Sequence, residues 1–208
     1  MYIPKANQEN DLATLFAFMH AHSFTTFVSM VEGVPVATHL PVTVSLHGDT
    51  VVCHGHFAKA NPQWRAIESQ SNLLMFTGSH AYISPTHYEK VESVPTWNYI
   101  AVHAYGRARL MHSESAAPAL VRVISDLIAQ HEPSYQAQWD GLPDKYRDGM
   151  LNGVVGFELA FDRLEGKFKL SQNKTAGEQQ TVVAALSDSP HEAERATASY
   201  MQAHIDGV

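Results

Sequence analysis

The chain has 208 residues, 45% of them hydrophobic, which is enough to bury a sizeable core. Its 14 basic and 21 acidic side chains give a net charge of −7, which opposes a surface built to grip nucleic-acid phosphates. One cysteine, Cys53, excludes an internal disulfide framework, and no apolar run reaches the ~18 residues of a membrane span.

Residues 11–22 predict a helix, because Leu12, Leu15, Phe16 and Met19 recur at helical spacing behind a cap at Asn10 or Asp11. The period then changes. Residues 24–31, 34–45 and 50–57 are rich in β-branched and aromatic side chains, with turns at Glu32-Gly33 and His47-Gly48-Asp49. An antiparallel meander is expected, interrupted only by Pro35 and Pro41. Asn61-Pro62 opens a short helix carrying Trp64 and Ile67, with Asn as cap and Pro at the first helical position. Residues 72–77 form a strand ending at Gly78, and 79–95 a long loop of the kind that usually carries function. A long strand follows at 97–111 with Gly106 as a candidate bulge; alternation puts Trp97, Tyr99, Ala101, His103 and Tyr105 on one face.

Leu120, Val121, Ile124, Leu127 and Ile128 stripe a helix over 118–130, and a shorter helix covers 144–151. Strands are expected at 153–161 and 163–170. From Thr175 the pattern is helical, split by Pro190. Antiparallel strands with helices between and after them predict a mainly β, α+β fold: a barrel with peripheral helices. The expected division is a barrel domain over 1–187 and a helical appendage over 188–208. The N-terminus lacks the basic-then-apolar layout of a secretory signal, so a cytoplasmic location is expected.

Neither of the two familiar nucleotide-binding glycine loops occurs, nor a Gly-x-Ser-x-Gly elbow, nor His-Glu-x-x-His. Acidic residues are dispersed, so catalysis, where present, falls to a cofactor. Two segments stand out: Tyr82-Ile83-Ser84-Pro85 and Val94-Pro95-Thr96-Trp97-Asn98-Tyr99. Each sets rings beside hydroxyl or amide groups, either as a loop with satisfied aromatics or as the wall of a planar ligand. Lys59 leaves a strand directly before a helix start, where an anion is favoured, or stands simply solvated. His39 sits mid-strand as a core histidine or beside a flat ligand. His54 and His56 share one face, as structural groups, a cofactor edge or metal ligands. Residues 166–174 combine lysines with Ser171, Gln172 and Asn173, as a grip for phosphate and carbonyl groups or as an exposed strand end.

Six blocks in order then carry a resemblance. They are Met1-Tyr2-Ile3-Pro4; Thr38-His39-Leu40-Pro41; Gly55-His56-Phe57-Ala58-Lys59-Ala60-Asn61-Pro62-Gln63-Trp64; and Ala81-Tyr82-Ile83-Ser84-Pro85. Val94 to Tyr99 with Val102-His103 and Gly106 is the fifth, and Glu165-Gly166-Lys167-Phe168-Lys169-Leu170-Ser171-Gln172-Asn173 the sixth. The chain resembles the PaiB family of FMN-binding split-barrel proteins, named as negative transcriptional regulators.

The resemblance implies an antiparallel six-stranded Greek-key split barrel, a homodimer, and FMN at its interface. It implies that Lys59 meets the phosphate, and that His56 and Asn61 of the same block also belong to the cofactor site. Thr38 and His39 would lie along the ring, and Tyr82, Ser84, Thr96, Trp97 and Asn98 would line the ring or the substrate. Lys169, Ser171, Gln172 and Asn173 would close the site. No metal is expected. The implied function is a flavin-dependent oxidoreductase or flavin-linked regulator of gene expression acting on a small molecule. The alternatives are a DNA-binding repressor without catalysis, which the net charge opposes, and a haem-binding split barrel, which the 13 histidines suggest.

Overall fold

Burial alternates along the long strands, as it must when one face of a sheet lines a core. The computed structural model describes residues 1–111 and 117–207. Its strands are β1 (Gln8–Glu9), β2 (Phe24–Val31), β3 (Val34–His47), β4 (Thr50–Ala58), β5 (Asn72–Ile83), β6 (Thr96–Met111) and β7 (Val154–Lys169). The helices are α1 (Leu12–Ala21), α2 (Ala117–His131), α3 (Gln136–Asp140), α4 (Asp144–Leu151), α5 (Ala176–Ser187) and α6 (Glu192–Asp206).

The sheet order is β1-β7-β4-β3-β2-β5-β6, and β6 also pairs with β7. Six long strands therefore close on one another, with β1 as a short addition to β7. The step from β4 to β5 passes over β3 and β2, which is the Greek-key crossing. By its contacts the chain divides into two units. The first comprises Met1–Leu15, Thr77–Val102 and Glu165–Val208; the second comprises Phe16–Phe76 and His103–Leu164.

In the second unit the meander forms as the sequence predicts. Glu32 and Gly33 both take positive φ, 52° and 79°, the geometry of a two-residue turn that matches strand twist. β2 and β3 pair from Phe24↔Pro41 to Val31↔Val34, and β4 pairs on to β7 from Val52↔Ala160 to Ala58↔Val154. Phe27, Phe57 and Phe157 are fully buried with centroids 5.1–5.5 Å apart. Each such ring contributes about 1.5–3 kcal/mol by burial. Gly55 makes room for them, since a Cβ there would stand 2.8 Å from the Phe157 ring. Burial pushes the Cys53 thiol up, which leaves it a packing group without nucleophilic character.

Strand and helix lengths differ from expectation in four places. β3 runs through both prolines, and β5 continues past Gly78 to Ile83, so the loop before β6 shrinks to 84–95. The two strands expected over 153–170 are one, β7. Gly106 lies where β6 meets β7 closely: a Cβ there would sit 2.3 Å from the Ala160 carbonyl oxygen. The helix expected after Asn61 is only a four-residue 3-10 turn, Pro62–Arg65, with the Asn61 side chain accepting from the Gln63 amide.

That turn carries the polar hub of the second unit. The buried Gln63 amide nitrogen donates to the Phe27 carbonyl (3.2 Å), the Ser29 hydroxyl (2.9 Å) and the Val36 carbonyl (3.0 Å). Its oxygen accepts from the Thr38 hydroxyl at 2.5 Å. Replacing Gln63 with Ala strands four buried or half-buried groups, so a loss of about 2–4 kcal/mol is expected in urea unfolding. A loss below about 0.5 kcal/mol would mean that the hub is not structural.

Candidate functional site

In the first unit, the end of β7 lies against the start of β6. The Lys169 ammonium donates to the Thr96 hydroxyl and to the Trp97 carbonyl, the latter at 2.6 Å. Burial draws its pKa below the usual lysine range, and the like charge of Lys167 adds to the effect. Beside it the Trp97 ring is 52% exposed, and the Tyr82 ring 46%. Tyr82 meets Trp97 edge-on at 5.9 Å, and His80 tilts against the same ring at 5.8 Å. Exposed rings meeting at Trp97, whose carbonyl accepts from an ammonium, supply the aromatic surface and the charge that suit a flat anionic group.

The remaining predicted residues of this unit are engaged elsewhere. Asn98 is fully buried; its amide donates to the Ser171 hydroxyl at 2.9 Å and to the Met201 sulfur at 3.3 Å. Ser171 is buried in the left-handed region at φ 64°, a conformation that costs a non-glycine residue energy. Gln172 folds back, accepting from the Leu170 amide and donating to the Phe168 carbonyl. Ser84 accepts from the Thr86 amide at 3.2 Å and pairs with its hydroxyl. Asn173 is exposed, with no side-chain partner among the described residues. Lys167 is the residue that the sequence reading left out: it is buried, donates to the Tyr2 carbonyl at 3.1 Å, and lies over the Tyr2 and Tyr99 rings.

In the second unit, Thr38 and His39 point to opposite faces of β3, as strand alternation requires. Thr38 joins the Gln63 hub and accepts from the Asn61 amide at 2.8 Å. His39 is exposed, with its Nδ1 at 3.0 Å from the Thr26 hydroxyl and its ring stacked on Phe24. His56 stands opposite Gly156 on the outer face of β4; its Nδ1 is buried without a partner among the described residues. Burial lowers its pKa, which favours the neutral ring. Lys59 is exposed at the exit of β4. Its carbonyl accepts from the Trp64 indole, and its ammonium has no partner among the described residues. The Asn61 side chain is engaged in capping the short turn.

Two clefts of about 570 and 760 Å³ lie in the second unit, both lined by His54, Arg122, Asp126 and Glu158. None of the predicted cofactor residues lines either. Glu158 there accepts from His54 at 3.1 Å and from Arg109 at 2.9 Å. Burial alone would raise its pKa, but these bonds and charges outweigh it and hold the carboxyl below its ordinary range. Among the described residues no group of three or more His, Cys, Asp and Glu is arranged to hold a metal. No helix of the described residues is long and apolar enough to cross a membrane.

The fold and these surfaces define a class, the flavin-binding split barrels, and comparison with known proteins agrees. Residues 1–163 match the family described as "Putative FMN-binding domain". The chain is 37% identical over 187 residues to the Protease synthase and sporulation protein PAI 2 of Bacillus subtilis, covering 89% of each. The chain thus belongs to the FMN-binding split-barrel family of PaiB, whose cofactor is FMN.

Among solved structures, the flavocytochrome Anf3 of Azotobacter vinelandii superposes with a TM-score of 0.62 at 17% identity, over 80% of this chain and 72% of its own. The FAD and heme binding protein of Mycobacterium smegmatis gives 0.59 at 17%, over 86% and 80%. FMN joins a planar ring system to a phosphate.

The Glu158 cluster has a readable pH signature. A carboxyl held low in the folded state contributes stability above its unfolded pKa of about 4.3, and the contribution is lost as pH falls through the folded value. Glu158→Gln is expected to reduce the drop in unfolding midpoint between about pH 5 and pH 3. Identical acid profiles for the two proteins would contradict the pairing.

Proposed function

We propose that this protein is an FMN-dependent redox protein that works as a homodimer, with Trp97, Tyr82 and Lys169 meeting the ring system. The supporting observation is the cluster of exposed Trp97, Tyr82 and His80 rings, with the Lys169 ammonium bound at the Trp97 carbonyl. An ammonium locked by Thr96 and the Trp97 carbonyl keeps a third N–H for an electron-rich edge, and it need not reorganise when a ligand arrives. Bound FMN would supply hydride transfer, and the chain supplies orientation and control of water access. His80 extends the aromatic surface beside Trp97. Thr96 acts through Lys169, and Asn98 and Ser171 act by shaping the backbone that carries Trp97.

Self-association is supported by the outer face of β2, β3 and β5. There Phe24, Val28, Met30, Pro35, Ala37, Pro41, Leu73 and Met75 point away from the core, with Phe24 68% exposed. An apolar strip of this kind marks an interaction surface. His39 and Thr26 sit within it, so the histidine contact implied by the resemblance belongs to this face. The name of the B. subtilis relative supports a regulatory output, and the net charge of −7 favours its running through a small molecule over direct contact with DNA.

Two measurements test this. FMN added to the purified protein should quench its flavin fluorescence. Trp97→Ala and Lys169→Met should each raise the Kd about tenfold while shifting the unfolding midpoint of the flavin-free protein little. Equal loss of binding and stability in Trp97→Ala would return that ring to a packing role. Phe24→Asp with Met30→Asp should convert a dimer to a monomer in light scattering; a wild-type monomer would remove the homodimer from the proposal.

A further inference from the structure

The family match ends at residue 163, before α5 and α6, yet both helices are joined to the segments on either side of Trp97. Before it, the Glu178 carboxylate bridges two elements. One oxygen accepts from the Thr175 amide at 3.1 Å and completes a capping box on α5; the other accepts from the Glu89 amide, in the loop 84–95, at 3.3 Å. The Lys174 ammonium lies 3.6 Å from the ring centroid of the buried Tyr88, which ties the same loop to the start of α5. After it, Asn98 is held from one side by Ser171 and from the other by Met201 of α6.

The helices themselves are anchored. Val182, Val183 and Leu186 of α5 and Thr197, Ala198 and Met201 of α6 are buried. Glu178 itself has little exposed surface, and its bridge to the loop is part-buried. The Trp97 ring has no comparable anchor among the described contacts, although the residue's carbonyl accepts from Lys169. Its ring is half exposed and touches only two other rings in the described contacts, one of them exposed and the other half exposed. The placement of the ring therefore depends on the backbone that carries it, and beside strand pairing and Lys169 the C-terminal helices hold the stretches before and after it.

We propose that the α5–α6 hairpin is a clamp that positions the aromatic wall: Glu178 and Met201 fix the loop 84–95 and Asn98 on either side of Trp97, and so set how tightly the flavin is retained. Glu178 is a positioning residue in this scheme. The proposal rests on the reading of Trp97 as a flavin wall.

The test uses the full chain and reads two quantities: amide hydrogen exchange of residues 84–98 in the flavin-free protein, and the Kd for FMN. Glu178→Ala should speed exchange across 84–98 about tenfold and raise the Kd about fivefold. Glu178→Gln keeps the length but cannot accept at both amides, so it should fall between Glu178→Ala and wild type, and it serves where Glu178→Ala fails to fold. Thr175→Ala removes the other half of the capping box and leaves the bridge to Glu89. It should lower thermal stability with neither change, which separates positioning from plain helix support. Met201→Leu keeps the volume and removes the sulfur acceptor, and it should raise the Kd about twofold.

Unchanged exchange at 84–98 in Glu178→Ala overturns the clamp. Faster exchange with an unchanged Kd also overturns it, provided that Trp97→Ala still weakens FMN. If Trp97→Ala leaves the Kd unchanged, the flavin-wall reading fails on its own account, whatever the exchange shows.

Discussion

Closure of the sheet by β7 is the constraint on which the rest of the structure depends. An open antiparallel sheet leaves two rows of unpaired amides and carbonyls; here β7 is paired with β4 on one side and with β6 on the other. That double pairing requires close backbone approach, which Gly106 permits beside Ala160. It also fixes what lies at the far end of the strand. Lys169, the last residue of β7, reaches Thr96 and Trp97 at the beginning of β6. One strand thus serves the core through Phe157 and Leu159 and the candidate site through Lys169.

Polar side chains in this protein divide by commitment. Gln63, Thr38 and Asn61 form a network that fastens a short turn to the β2–β3 hairpin. Asn98, Ser171 and Gln172 do the same for the end of β7 and the start of β6. Such groups have spent their hydrogen bonds on the fold, because leaving them unpaired in the interior would be costly. Lys59, His39 and Asn173, by contrast, present exposed polar groups, and Trp97 and Tyr82 present rings.

Much of the fold was legible from periodicity. The meander, the helices α1 and α2 and the C-terminal pair divided at Pro190 follow from apolar spacing and turn chemistry, which are local properties. Strand lengths were less legible. Gly78 and the prolines of β3 read as breaks, but pairing with neighbours carried the strands through them. The short turn after Asn61 was overestimated for a related reason: its opening Asn-Pro is a strong start signal, but nothing local sets a helix's length.

The sequence by itself determined the alternation of core and surface, the turns, and the set of aromatic, hydroxyl and basic residues that place the chain among FMN-binding split barrels. Tertiary structure alone decided which of those residues are free. Thr38 and His39 are neighbours in sequence but face opposite sides of β3, and Asn98 sits beside Trp97 yet is buried against Met201. The roles of Gln63, Lys167 and Glu178 likewise appeared only there, because each depends on partners far away along the chain. A side chain's type is written locally; its hydrogen-bond partners and its exposure are set by which strands and helices the closed sheet brings against it.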